Sequence, residues 1–248
     1  MQSQSSHVHS HPLRAASAAL GLFLAVPGVA VFFPLGSPAA VELARPINPP
    51  LADLPNSTPS GTGRAIFAGG CFWGVQAVFQ HTVGVTNAVA GYAGGTPAAP
   101  SYEQVSSGAT GHAESVEITF DPKQISYGRL LQIYFSVAHD PTQLNRQDPD
   151  EGTQYRSEIF ATSDAQQRAA EAYIAELDKA HVFPRPIVTK VEPLQAFYPA
   201  EPYHQDYATL HPGSLYIAAY DLPKIANLKK LYPEFYREQA VLVGGNKQ

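Results

Sequence analysis

From residue 64 onward the apolar and polar positions of the chain follow two periods in turn. Residues 64–68 read as a short strand that runs into Gly69-Gly70. A helix is predicted from Cys71 to about His81, with Phe72, Val75, Val78 and Phe79 forming one apolar stripe that faces a sheet. Further strands are predicted at 85–90, 113–120, 157–161, 187–192 and 215–219, and helices at 126–138, 163–180 and 223–236. Ser163 followed by Gln166 has the spacing of a capping box at the start of the 163–180 helix. No internal repeat interrupts the pattern, so the expectation is one domain of mixed α and β structure over residues 64–240.

The residues before 64 follow neither period. They carry 9 of the 22 prolines and only Arg14, Glu42, Arg45 and Asp53 as charges. Residues 15–41 hold no charge, and 18–36 are mostly apolar over close to the ~20 residues that a membrane helix needs. With Arg14 before this run and Ser37 and Ala39 after it, residues 1–41 read as a secretory signal peptide or an uncleaved membrane anchor. A disordered Ala/Pro extension is the bland alternative. The expected location is therefore exported or membrane-anchored through 15–41, in a periplasm or its equivalent, with a soluble cytoplasmic or organellar protein as the other choice. Residues 42–63, dense in Pro, Ser, Thr and Gly, read as a disordered linker.

The 248 residues suffice for a sizeable core, at 44% hydrophobic and 15% charged. A net charge of -5 argues against a nucleic-acid partner, since phosphate binding rests on clustered Lys and Arg. One cysteine, Cys71, excludes an intramolecular disulfide and every multi-cysteine metal site. It follows two glycines at a predicted strand-to-helix junction, where the free N–H groups of the first turn favour a thiolate. A buried structural cysteine is the competing reading. Phe72 and the sole tryptophan, Trp73, are either core residues or the walls of an apolar pocket for a small group such as a methyl. In the strand that follows Gly111-His112, residues Glu114, Val116, Ile118 and Phe120 share one face, and Ser115, Glu117 and Thr119 share the other. If the apolar face is the core, Glu114 is a desolvated carboxylate able to hold a proton near neutral pH, and Glu117 is its solvated control. A strand-end Glu leaning into solvent is the alternative.

Gly70-Cys71-Phe72-Trp73-Gly74, Gly91-Tyr92-Ala93-Gly94-Gly95, Ser101-Tyr102, Gly111-His112-Ala113-Glu114, His139-Asp140-Pro141, residues 152–157 and Tyr203-His204-Gln205-Asp206-Tyr207 together resemble the A-type peptide methionine sulfoxide reductases over about residues 64–236. The resemblance implies an α+β fold, a two-layer α/β sandwich with a central mixed sheet. It implies reduction of the S epimer of methionine sulfoxide, free or in proteins, with no metal or organic cofactor. Carried over, it makes Cys71 the nucleophile, Phe72 and Trp73 the holders of the substrate methyl, and Glu114 the proton donor to the sulfoxide oxygen. Tyr102 and Tyr155 become phenols that hydrogen-bond that oxygen, and Asp150 an acidic residue that helps fix the site.

The chain departs from the family pattern after residue 215, where Leu215-Tyr216-Ile217 stands in place of a common Tyr-Cys pair and no resolving cysteine follows. The sulfenic acid on Cys71 would then be reduced by an outside thiol: thioredoxin, a glutaredoxin or glutathione. A cysteine hydrolase would need a His base, for which His112, His139 and His204 are available, though each lies inside a motif shared with the reductases. A membrane-tethered binder of oxidised methionine without turnover is the non-enzymatic alternative. No heptad run suggests assembly, and a monomer is expected.

Overall fold

The computed structural model of the protein describes residues 44–55, 61–96 and 98–243. The apolar segment 15–41 lies outside them. The elements run β1 (Gly63–Gly69), α1 (Phe72–Gln80), β2 (Val85–Ala93), α2 (Tyr102–Ser106), β3 (Ala113–Phe120), α3 (Tyr127–Ile133), β4 (Arg146–Gln147), β5 (Asp150–Glu151), β6 (Ser157–Ala161), α4 (Asp164–Lys179), β7 (Lys190–Pro193), β8 (Phe197–Pro199), α5 (Tyr207–Leu210) and α6 (Leu222–Leu231). A wider turn, Tyr134–Ala138, prolongs α3.

Six strands form one mixed sheet in the order β7-β6-β1-β3-β2-β8, antiparallel except for the parallel β6–β7 edge. The alternation read in the sequence decides its two faces. Ala65, Phe67, Val116 and Ile118 face the main core, where the helices pack with Phe79, Leu130, Leu131 and Tyr134. Ile66, Ala68, Ala113 and Phe160 face the other way into a small cluster closed by Leu194 and Phe197. The helices supply one layer and the sheet the other, as expected for a two-layer α+β domain.

Residues 44–55, within the segment read as a linker, lie against the helical layer. Ile47 is buried in the main core, its N–H donates to the Tyr232 hydroxyl at 3.1 Å, and its carbonyl accepts from Gln132. The Tyr173 hydroxyl donates to the carbonyl of Asn48, and Asp53 accepts the Gly128 N–H at 2.8 Å at the start of α3. Ile47, with Ala44 and Leu54 packed partly buried against the same core and with hydrogen-bond partners for its backbone, seats a proline-rich segment whose own pattern shows no period.

Three sequence expectations are corrected. Residues 215–219 are helical rather than a strand, because burial recurs at Ile217, Asp221, Lys224 and Leu228, the spacing of a helix face, while Leu215 is exposed. The last helix stops at Leu231, since Pro233 lacks the N–H that would continue it, and a short 3-10 turn, Pro233–Phe235, follows. The expectation of an exported or membrane-anchored protein is also overturned. Among the described residues no helix is long and apolar enough to cross a membrane, and an anchor through 15–41 has no support.

Candidate active site

Cys71 stands where β1 passes into α1. The turn depends on Gly70, whose φ is +89° and whose missing Cβ leaves room for the Gln147 side chain, which would lie 2.5 Å from it. Cys71 is the N-cap of α1 and is 8% exposed. The next N–H, that of Phe72, donates to Glu114 Oε2 at 3.0 Å, so the start of β3 and the start of α1 are tied at the cysteine.

Glu114 shares the core face with Val116 and Ile118 and is 2% exposed. Burial pushes its carboxyl up to about 8, with Asp150 and Asp221 adding to the rise and the Phe72 N–H opposing it. It is a protonated acid at neutral pH. Glu117, on the opposite face, pairs with Arg64 at the surface. Burial also raises the Cys71 thiol well above its usual value, assisted by Glu114, which is ionised in the alkaline range where the thiol titrates, and by Asp221, and opposed by the Trp73 N–H and Lys224. The helix start alone therefore does not make a thiolate here; desolvation outweighs it.

The aromatic wall has two parts. Phe72 is fully buried, while Trp73 is half-buried. The Trp73 indole stacks on Tyr207 at 3.9 Å and meets Tyr216 edge-on at 6.1 Å. Its Nε1–H donates to His204 Nδ1 at 3.2 Å. Residues 204–207 reach it because Gln76 and Gln80, on α1, bind that segment: Gln76 Nε2 donates to Gln205 Oε1 at 2.8 Å, and Gln80 Nε2 to Asp206 Oδ1 at 2.6 Å.

Tyr102 begins α2. Its N–H and the Tyr92 hydroxyl both donate to Glu201, each at 2.9 Å, and its ring lies 4.3 Å from that of His204. Tyr155 ends a short 3-10 turn that opens at Gly152, where φ is +133°. Burial raises both phenols, and Glu114, Asp150 and Cys71 act on each of them. Asp150, on β5, accepts from the Tyr216 hydroxyl, and burial raises its carboxyl while that bond and Lys224 lower it.

Cys71, Phe72, Trp73, Tyr102, Glu114, Asp150 and Tyr155, drawn from five separate stretches of chain, thus meet at one place. Tyr207, His204 and Tyr216 join them; the first two lie in a motif quoted above, and Tyr216 in the stretch noted only for its missing cysteine. Glu201, Asp221 and Lys224 gave no sequence signal. His139, in contrast, is a buried structural residue bonded to Ser157 Oγ at 2.7 Å and to the Tyr134 carbonyl. Among the described residues no group of three His, Cys, Asp or Glu side chains could hold a metal ion. The arrangement offers a sulfur nucleophile, a neutral acid beside it, two phenol donors and an apolar aromatic wall.

A family model described as peptide methionine sulfoxide reductase matches residues 63–235. The chain is 62% identical over 183 residues to the peptide methionine sulfoxide reductase MsrA 2 of Mesorhizobium japonicum, covering 74% of this chain and 94% of that protein. It is 46% identical over 208 residues to the protein of the same description from Synechocystis, covering 83% and 97%. Among solved structures, the reduced form of Mxr1 from Saccharomyces cerevisiae superposes with a TM-score of 0.57 at 34% identity, over 63% of this chain and 90% of that one. Methionine sulfoxide reductase A of Corynebacterium diphtheriae gives 0.53 at 32%, over 68% and 87%.

Proposed function

Because the chain belongs to the peptide methionine sulfoxide reductase family, and is thus a thiol-dependent oxidoreductase acting on the S epimer of methionine sulfoxide, we propose that its chemistry runs through Cys71 with Glu114 as the acid. The Sγ of Cys71 attacks the sulfoxide sulfur while Glu114 delivers a proton to the oxygen, an otherwise poor leaving group. The thiol proton returns to Glu114, and the hydroxyl then passes from the substrate sulfur to Sγ: its S–O bond to the substrate and the S–S bond made by the attack both break, a new S–O bond forms on Cys71, and the S–S electron pair stays on the methionine sulfur. Methionine and a Cys71 sulfenic acid are the products, so sulfur on the substrate gains the two electrons that sulfur on the enzyme loses. Tyr102 and Tyr155 hydrogen-bond the developing oxyanion, and Asp150, held by Tyr216, fixes their side of the site. Phe72 and Trp73 receive the methyl.

With one cysteine in 248 residues, the second half of the cycle needs two outside thiol equivalents. The first displaces water from the sulfenic acid to give a mixed disulfide; the second releases Cys71 as the thiol. Glutathione, a glutaredoxin or thioredoxin has the right chemistry, and the enzyme acts as a monomer. A binder without turnover finds no support among the matched relatives.

The observation that carries this reading is the Phe72 N–H bond to Glu114, which puts the acid at the turn begun by the nucleophile. In an assay of S-sulfoxide peptide with dithiothreitol, Cys71→Ser is expected to remove all turnover. One equivalent of substrate without reductant is expected to leave a sulfenic acid trapped by dimedone in the intact mass. Turnover persisting in Cys71→Ser would falsify the mechanism, and a Cys71 disulfide dimer in place of the trapped acid would overturn the one-cysteine cycle.

A further inference from the structure

The helical stretch 215–231 turns an acid and a base, Asp221 and Lys224, toward the interior at positions where a helix normally buries apolar side chains. Asp221 is fully buried and Lys224 nearly so, and their one contact is an ion pair between Lys224 Nζ and Asp221 Oδ1 at 3.5 Å. As a structural pair this is poor. A buried pair offsets its desolvation only with close geometry and further hydrogen bonds, yet Asp221 Oδ2 has no hydrogen-bond partner among the described residues.

Its place in the fold is more informative. A Cβ built on Gly74 would overlap Asp221 Oδ1 and lie 2.9 Å from Lys224 Nζ, so both charges occupy the space that glycine leaves on the first turn of α1. Gly74 is three residues after Cys71, on the same side of that turn. On its other flank Lys224 lines a small cavity with His139, Asp140 and Gln147, and Gln147 is the side chain packed on Gly70. The ammonium therefore sits under the Gly70–Gly74 turn that carries the sulfur. Around Cys71 the remaining titratable groups are Glu114 from β3, Asp150 from β5, and Tyr102, Tyr155 and Tyr216. All of these are acids. Among the described residues Lys224 is the one cation that acts on the thiol, and Asp150 and His139 also feel it.

We propose that Asp221 and Lys224 are positioning residues for the reaction, the Lys224 ammonium holding the thiolate of Cys71 within reach during attack and the Asp221 carboxylate offsetting part of that field. The pair takes over the part of the fold where the family resemblance leads one to look for a resolving cysteine, and it supports the nucleophile instead of regenerating it. The inference rests on Cys71 being the nucleophile.

The test is the pH profile of Cys71 alkylation by iodoacetamide, followed by intact mass with no sulfoxide present. It reads the thiol whether or not the protein turns over, so an active Cys71→Ser protein would sink the reductase mechanism and leave this result standing. Lys224→Met is expected to move the alkylation midpoint up by about one pH unit, slowing the reaction about tenfold near neutrality. Asp221→Asn is expected to move it down and speed the reaction. The double variant should return toward the wild type, and Lys224→Arg should stay near it. A merely structural pair would give shifts of the same sign, or none, in the two single variants, and either outcome overturns the proposal. If one single variant does not fold, the sign of the other decides.

Discussion

The start of β3 and the helix 215–231 both bring a buried carboxylate to Cys71, and they treat it in opposite ways. Glu114 faces the core with no cation beside it and a backbone N–H as its hydrogen-bond donor, so burial prevails and the group keeps its proton up to about pH 8. Asp221 is at least as buried, but Lys224 lies one turn along the same helix and pulls it back toward its charged form. Residue type and burial are nearly matched; what differs is a cation within ion-pair range. An acid and a charge device are thus made from the same functional group, on two sides of one sulfur.

The strongest way to break this contrast is to remove the acid. Glu114→Gln keeps an oxygen for the Phe72 N–H but has no proton to give, and kcat/KM is expected to fall about 10²- to 10⁴-fold. Glu117→Gln, on the solvated face of the same strand, should change it less than about twofold. In the wild type the activity that depends on this acid should be lost as pH rises through about 8, the alkaline limb of the profile. Stability carries the same signature. Glu114 binds a proton in the folded protein that the unfolded chain has released between its ordinary value of 4.5 and about 8, so this group costs the wild type stability as pH rises through that window. Glu114→Gln escapes that loss and should be the more stable protein above pH 8, by an amount on the order of a few kcal/mol. Urea titrations at pH 5 and pH 9 check this; equal pH slopes in the two proteins would contradict a buried acid.

Why one of the two regions was legible in the sequence and the other was not follows from the same residues. β3 spans Ala113–Phe120 and β6 spans Ser157–Ala161 as expected, the first marked by alternation from Ser115 onward and the second a short run whose residues are all buried. Glu114 could be placed on the apolar face by counting in twos. Cys71 was marked by its glycines and by being alone. The helix 215–231 hides its period, since two of its four inward positions, Asp221 and Lys224, are charged and a pattern of apolar residues passes over them. Leu215 and Tyr216 then imitate a strand. Glu201 is invisible for another reason: its partners, Tyr92 and Tyr102, lie 99 or more residues away in the chain. The seating of residues 44–55 depends likewise on Tyr173 and Tyr232, which nothing local announces.

A smaller effect is expected where the helix 215–231 meets the first turn of α1. Gly74→Ala would improve helix propensity by about 1 kcal/mol. The added methyl, however, overlaps a carboxylate that has nowhere to go, and overpacking of this kind costs about 1–3 kcal/mol. A net loss of about 1 kcal/mol is expected in urea titration. The alkylation profile of Cys71 should shift as well, because Asp221 and Lys224 are pushed off the turn together. Unchanged stability and an unchanged profile would mean that the helix approaches α1 less closely than the geometry requires.

The finest distinction lies at Tyr216, which joins the helix 215–231 to the rest of the site: its ring meets Trp73 edge-on and its hydroxyl donates to Asp150. Tyr216→Phe keeps the ring and deletes the donor. The loss of one hydrogen bond at a half-buried carboxylate should lower stability by about 0.5–1.5 kcal/mol. Asp150 then loses one of the two influences that hold its carboxyl down and retains a proton to higher pH. If Asp150 acts by fixing the geometry of the site, kcat/KM should fall less than about tenfold, in line with that energy, and the emission of the sole tryptophan should stay as it is. A loss beyond about a hundredfold would exceed what one positioning bond can supply. It would move the Tyr216 hydroxyl from holding Asp150 to donating directly to the sulfoxide oxygen, alongside Tyr102 and Tyr155.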